Sequence, residues 1–352
     1  MLKFGFLLAL TGLLLCPVSM FGQFTNELPL KDRYLRMMFY NVENLFDTQD
    51  DSLTNDNEFL PNQGKYWTYS RYNEKLHHIS TVIASIGGWN PPEIIGLAEI
   101  ENRKVLDDLC KKAELSKLEY NIIHKESHDS RGIEVAMLYR KKYFKPLSYK
   151  AIKVTFPFSL NTFTRDILYV CGKTNNDDTL HVFINHWPSR WGGQLDSERN
   201  RMVVAQILRI EIDSIFKTYP NPKIVIMGDL NDYPENISLT EGLKANRTFD
   251  NLKDNQLYNL SSYIAQTKDI GSNKHEGVWG ILDQIIVSGA LLNAKQGLSA
   301  KKENAYIFNP DFLLVDDENF TGKTTFRTYN GYQYLGGYSD HLPVFIDLDN
   351  LK

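Results

Sequence analysis

Five apolar runs spread along the chain each end in a cluster of acidic, amide or imidazole groups. They are Phe39-Tyr40-Asn41-Val42-Glu43-Asn44, Leu97-Ala98-Glu99, Asn185-His186-Trp187-Pro188, Gly228-Asp229-Leu230-Asn231-Asp232, and Gly337-Tyr338-Ser339-Asp340-His341-Leu342. Runs rich in β-branched and aromatic residues read as strands. A charge at the end of a buried strand is costly unless it has a partner. A soluble protein needs no such groups there for packing. Several carboxylates and two histidines at strand ends point to a metal site with acid/base groups beside it.

The pattern along the chain is strand, helix, strand, helix, then many strands. Met37 to Tyr40 reads as a strand that ends at Asn41, and Asp47 to Glu58 as a solvated acidic loop without the spacing of a helix-loop-helix calcium site. Leu76, Ile79, Ile83 and Ile86 recur at helical spacing over Arg71 to Ile86, with Gly87-Gly88 as the stop. Glu93 to Ile100 is a strand and Asn102 to Ala113 a short helix. Glu134 to Tyr139, Asp166 to Gly172 and Leu180 to His186 are further strands. Ser197 to Phe216 is a helix, and Lys223 to Met227, Ile281 to Ser288 and Pro343 to Leu348 complete the strands. Strands outnumber helices, which makes the chain α+β or α/β with mixed sheets. No linker divides it, so a single domain is expected over residues 23–352.

Residues 1–22 read as a signal peptide, with Lys3 ahead of an apolar run from Phe4 to Val18 and small residues near Gly22. Secretion or periplasmic export is the expectation. Cys16 falls in that segment. Cys110 and Cys171 either pair or stay as buried thiols. A net charge of −4 argues against a protein that holds nucleic acid by bulk charge alone. It does not exclude a nuclease, because a bound cation supplies local positive charge.

Together with Leu282-Asp283-Gln284-Ile285-Ile286-Val287-Ser288, these motifs resemble, in order, the endonuclease/exonuclease/phosphatase superfamily, from about Arg36 to Leu348. Bacterial secreted nucleases of that group are the most similar in look. The resemblance implies an α/β sandwich of four layers, two packed mixed β-sheets flanked by helices on both outer faces, with the site at one end. It also implies a metal-dependent phosphoric-ester hydrolase. Glu99 is the lead metal ligand, with Asp340 and Glu43 near the metal, and magnesium the expected ion, manganese and calcium being alternatives. Asp229 orients or deprotonates the attacking water, and Asn231 contacts the phosphate. His341 is the general acid/base, oriented by Asp283. His186 hydrogen-bonds the scissile phosphate or the leaving group, and Asn41 helps orient metal and phosphate. Glu101 and Asp232 are expected to be an exposed strand-end acid and a turn residue.

Arg131, before the strand at Glu134, is a phosphate-contact candidate because a guanidinium fork suits bidentate binding. Arg190 and Trp191, in the loop after His186, are candidates for phosphate contact and base stacking. Packing is the competing reading for the tryptophans of that loop and for Trp279. The leading expectation is a secreted endonuclease with a nucleic-acid substrate, monomeric, with no protein partner and no lasting membrane association. An enzyme acting on a small or lipid phosphate ester (inositol phosphate or sphingomyelin type) shares all these residues. An inactive binding protein of the same fold is a third reading. N-terminal sequencing of the exported form is expected to read from near Gln23; an intact Met1 form in the cytosol would refute the signal peptide.

Overall fold

The computed structural model describes residues 34–88, 90–159, 162–190 and 192–351. The segment read as a signal peptide and Trp191 lie outside the described residues. One seven-stranded sheet contains β1 (Tyr34–Leu45), β2 (Ile94–Ile100), β3 (Tyr120–His124) and β4 (Glu134–Arg140), in the order β14-β20-β1-β2-β4-β3 with β15 also on β20. The other holds β5 (Phe144–Ile152), β6 (Ile167–Thr174), β7 (Thr179–His186), β8 (Lys223–Asp229), β9 (Ala245–Asn246), β10 (Leu257–Asn259) and β13 (Asp283–Ser288), in the order β5-β6-β7-β8-β13-β10-β9. The strands β14 (Gly297–Ser299), β15 (Ala305–Ile307) and β20 (Val344–Leu351) complete the first sheet. Three two-stranded hairpins stand apart: β11 (Asn273–His275) with β12 (Val278–Gly280), β16 (Leu314–Asp316) with β17 (Lys323–Thr325), and β18 (Tyr329–Asn330) with β19 (Gln333–Tyr334). Helices α1 (Tyr69–Gly87), α2 (Arg103–Cys110) and α3 (Ala113–Ser116) precede β3; α4 (Gln194–Thr218), α5 (Leu260–Thr267) and α6 (Gly289–Asn293) follow β7.

Strand alternation makes the layers. On β8, Val225 and Met227 join the core between the two sheets, while Ile224 and Ile226 face the opposite way into a second core with Leu208 and Ile212 of α4. On β7, Val182 and Ile184 point inward and Phe183 outward in the same rhythm. The apolar face of α1, Leu76, Ile79 and Ile83, belongs to the same continuous apolar cluster as the first sheet, against which α1 packs at β1. Helix, sheet, sheet and helix stack in that order, the mixed α+β sandwich the sequence motifs imply. The sheets approach closely where Gly96 meets Ile184: a Cβ there would lie 2.8 Å from the Ile184 side chain.

Several elements differ from the reading of the sequence. The helix expected to run to Ala113 breaks at Lys111-Lys112 into α2 and α3, and α4 begins at Gln194, before Ser197. Strand β5 was hidden by Pro146, which sits at a register shift against β6 on the sheet edge, where a missing N–H costs least. Both thiols are free, and burial pushes Cys110 up to about 12. The acidic loop is anchored, since Asp47 and Asp56 are buried. Glu101 is buried as well, contrary to expectation, because it accepts a hydrogen bond from the Asp47 amide at 2.5 Å. Burial, with Asp47, Asp56 and Asp51 nearby, pushes Glu101 up to about 8.

The folded protein thus keeps a proton on Glu101 that the unfolded chain releases near pH 4.3. The stability this gives is full below that value and lost as pH rises through about 8. Glu101→Gln keeps an acceptor for Asp47 and cannot ionise. Its melting temperature is expected to gain on wild type progressively from pH 5 to pH 9, and a gap that does not change with pH would contradict this.

Candidate active site

The chemistry-bearing side chains gather where strands of both sheets end. In the second sheet His186 on β7 is the register partner of Asp229 on parallel β8, and Asp229 is the partner of Asp283 on antiparallel β13. Three adjacent strands therefore place an imidazole and two carboxylates in one row. Gly228 permits the spacing, because a Cβ there would lie 2.3 Å from the Asn185 carbonyl oxygen. In the first sheet the pairings of β2 with β1 and β4 shift register around Glu99. Glu43, Asn44 and Glu99 adopt left-handed backbone conformations at φ of 53°, 56° and 62°, and Asn231 does so at 50°. Such conformations cost non-glycine residues about 1–3 kcal/mol each and gather at functional sites.

Asn41 joins the two rows. Its Nδ2 donates to Asp229 Oδ2 at 3.0 Å, and its Oδ1 accepts from the Glu43 amide at 3.0 Å. Asn44 N donates to Glu99 Oε2 at 2.8 Å. The other Glu99 oxygen stands 3.9 Å from His186 Nε2, which lies 3.7 Å from Asp229. His341 Nδ1 meets Asp283 Oδ2 at 2.6 Å, leaving Nε2 3.8 Å from Asp229 and 4.0 Å from Asp340. Among the described residues, Asp229, Asp283 and His341 form the group whose ligand atoms lie close enough together for one cation. The short bond to Asp283 occupies one face of the imidazole, so this trio reads better as an acid/base unit than as a ligand set.

The protonation states follow from the surroundings. Burial alone would depress His341, but Asp283 and Asp229 outweigh it and hold the imidazolium well above the ordinary histidine range. Burial pushes Asp229 up to about 7, with the charge of His341 opposing and that of Asp283 adding. Burial, reinforced by Arg165 and Arg131, drives His186 well below its ordinary value and keeps it neutral. The two histidines are thus split into one cation and one neutral donor.

Other expected residues sit differently. Both Glu43 oxygens are engaged: Thr328 N donates at 2.7 Å and Tyr329 N at 3.3 Å, and Arg327 Nε lies 3.5 Å away. Glu43 therefore anchors the segment around Arg327 and is not a free ligand. Asp340 shares Arg327, whose Nη2 donates to Oδ2 at 3.1 Å. Arg131 is half-exposed and reaches the site, donating to Asn44 Oδ1 at 2.6 Å. Arg190 is spent on its own loop: it donates to the Asn231 carbonyl at 2.9 Å and to Asn236 at 3.0 Å, and stacks over Tyr233. That geometry replaces the expected phosphate contact with support for Asn231. Trp187 is buried in packing, and its carbonyl accepts from Asn231 Nδ2 at 3.0 Å. Asp232, expected to be only a turn residue, is a buried partner of Arg201 at 2.8 Å.

Three supports escaped the reading of the sequence. Ser272 Oγ accepts from the Leu282 and Asp283 amides, at 3.1 and 3.0 Å. Ser339 Oγ donates to the Asn41 carbonyl at 2.7 Å and accepts from the His341 amide. Lys75 is fully buried under the site, donating to Thr328 Oγ1 at 2.5 Å and the Tyr338 carbonyl at 2.6 Å; burial lowers it to about 8. Ser339 lay inside a quoted motif. Lys75 gave no signal, sitting on the apolar face of α1.

A family model for the endonuclease/exonuclease/phosphatase family matches residues 36–350. The chain belongs to that family. No curated protein matches it in sequence. Among solved structures, zebrafish (D. rerio) TDP2 complexed with a single-strand DNA product is similar at 14% identity and a TM-score of 0.54, over 90% of this chain and 99% of that one. The human Nocturnin catalytic domain with bound sulfate is similar at 15% identity and 0.52, over 90% and 94%. A family member from Bacteroides thetaiotaomicron is similar at 14% and 0.51, over 90% and 98%. These likenesses concern the fold. Enzymes of the endonuclease/exonuclease/phosphatase family hydrolyse phosphoric esters with divalent metals.

The His341–Asp283 pair makes a checkable prediction. With the folded value of His341 above the unfolded one, the pair contributes stability in full below about pH 6.5 and loses it as pH rises through the folded value. Thermal melts of wild type and Asp283→Asn are expected to differ most in mildly acidic buffer and to converge at alkaline pH. A constant gap would show that the two groups do not act as a charge pair.

Proposed function

We propose that this chain is a secreted phosphodiesterase that cleaves nucleic-acid backbones, acting as an endonuclease with a divalent cation, magnesium first. The observation that carries the reading is the row His186, Asp229, Asp283 and His341, closed across the sheets by Asn41. Four carboxylates besides the engaged Glu43, namely Glu99, Asp229, Asp283 and Asp340, surround the site, and Asp283 Oδ1 is buried with no hydrogen-bond partner. Such an excess of hard oxygen donors suits a magnesium-like ion, with Glu99 and Asp340 holding it. Glu99 and Asp340 would hold such a cation, which would supply charge neutralisation at the phosphoryl oxygens and at the departing oxygen.

The chain's own groups do the rest. Asp229 accepts the proton of the attacking water, a task suited to a carboxylate whose pKa lies at about 7. The His341 imidazolium, fixed by Asp283, donates from Nε2 to a phosphoryl oxygen and balances the developing charge. Neutral His186 donates to the phosphate or the leaving oxygen. Asn231 keeps its Oδ1 and one amide proton for substrate, since the other proton is held by the Trp187 carbonyl. Arg131 meets a backbone phosphate from the rim. Export rests on the N-terminal sequence. No described helix is long and apolar enough to cross a membrane.

A second reading has one observation in its favour. Val278 at the tip of the β11–β12 hairpin and nearby Phe320 are exposed, an apolar projection that the sequence did not suggest and that suits a lipid phosphodiester. One assay separates the two. Purified protein is incubated with plasmid DNA, RNA, abasic DNA, inositol polyphosphate and sphingomyelin vesicles, with Mg²⁺ or EDTA. DNA or RNA nicking that needs Mg²⁺ is expected, and Glu99→Gln is expected to lower it about 100-fold, equivalent to about 3 kcal/mol of transition-state stabilisation. Full turnover after metal removal would sink the mechanism, and a preference for sphingomyelin or inositol phosphates would sink the substrate.

A further inference from the structure

A second pocket opens beside the site. It has a volume of about 220 Å³ and is lined by Glu43, Asn44, Phe59, Lys65, Arg327 and Tyr329 among others. That is room for roughly seven waters, enough for a phosphoryl group with part of a sugar. It shares Glu43, Asn44 and Arg327 with the surroundings of the site, so it adjoins the catalytic row.

Its walls carry unspent cationic capacity. Lys65 Nζ donates to the Gly331 carbonyl at 2.7 Å, and the nearest carboxylate, exposed Glu58, stands 4.0 Å away. An ammonium has three donors, so two remain. Arg327 also lines the pocket, with its Nε 3.5 Å from Glu43 and its Nη2 on Asp340. The one acid lining the pocket, Glu43, takes two backbone amides and stands 3.5 Å from Arg327 Nε, which leaves Lys65 as the cation facing the pocket without a close acid. Phe59, Tyr329 and Tyr332 surround Lys65 Nζ with ring centroids at 5.6, 5.0 and 5.2 Å, and Tyr332 is exposed. The Tyr329 hydroxyl donates to the Lys65 carbonyl at 2.9 Å, which fixes the wall. Cations beside exposed aromatic faces are how a strand of nucleic acid is held without reading its sequence.

We propose that the pocket between Lys65 and Arg327 is an anion subsite for the phosphate adjacent to the scissile one on a nucleic-acid strand. The assignment rests on the polynucleotide reading. It gives that reading a direction, since the strand must run from the row of His186 and His341 past Asn44 toward Tyr332.

Binding of a short fluorescein-labelled oligodeoxythymidylate, followed by anisotropy in EDTA across a potassium chloride series, tests it apart from catalysis. Lys65→Gln is expected to bind about fivefold more weakly near 0.1 M salt, and its plot of log K against log salt to be shallower by about 0.7, the loss of one phosphate contact. Lys65→Arg, which keeps the charge, is expected to retain the wild-type slope. Wild-type affinity and slope in Lys65→Gln would overturn the subsite and leave the polynucleotide reading standing. Equal losses in both variants, with lowered melting temperatures, would overturn it in favour of a purely structural lysine. A wild-type protein that neither binds the oligonucleotide nor cleaves nucleic acid would remove the polynucleotide reading and the subsite with it.

Discussion

The hydrogen bond from Asn41 to Asp229, 3.0 Å long and buried, is the interaction on which the rest of the site depends. It is a direct hydrogen bond between polar side chains of the two separately hydrogen-bonded sheets. Removing the amide would leave a buried carboxylate with one donor fewer, and a buried charge that loses a partner is expensive. The same bond sets where Glu43, Asn44 and Glu99 stand relative to His186, because Asn41 also accepts from the Glu43 amide. The left-handed residues that follow stay in place because such contacts over-determine them.

Electrostatics then divides the labour. Two buried carboxylates, Asp283 first and Asp229 with it, decide that His341 is a cation, while burial beside Arg165 decides that His186 is not. Two residues of one chemical type acquire opposite tasks from their neighbours alone. The neighbours are in turn held by small hydroxyl groups, Ser272 behind Asp283 and Ser339 behind His341.

Much of this was legible because the strands that carry the site announced themselves. β-branched runs at Ile94–Leu97, Val182–Ile184 and Ile224–Met227 fixed the strands, and a charged residue at the end of each stood out against the cost of burying it. What stayed hidden was long-range or saturated. Lys75 looked like an ordinary surface lysine, and only the packing of α1 on the segment around Thr328 buries it. Glu101 looked like an exposed strand-end acid because its partner amide lies 54 residues earlier. Arg190 looked free for a phosphate, yet three of the five guanidinium donors go to Asn231, Asp232 and Asn236 of the neighbouring loop. The short hairpins near Asn273 and Tyr329 carry no periodicity long enough to read.

The pairing of β1 with β20 has a consequence in time. Arg36 on β1 closes its ion pair with Asp347, 311 residues later, and His341 enters the site just ahead of β20. Contacts this distant in sequence form slowly, since a long loop must be closed before they repay it. Asp229 and His186 can be assembled while the imidazolium is still missing. An emerging or partly unfolded chain therefore carries the site without His341, and the set of side chains closes only when β20 docks.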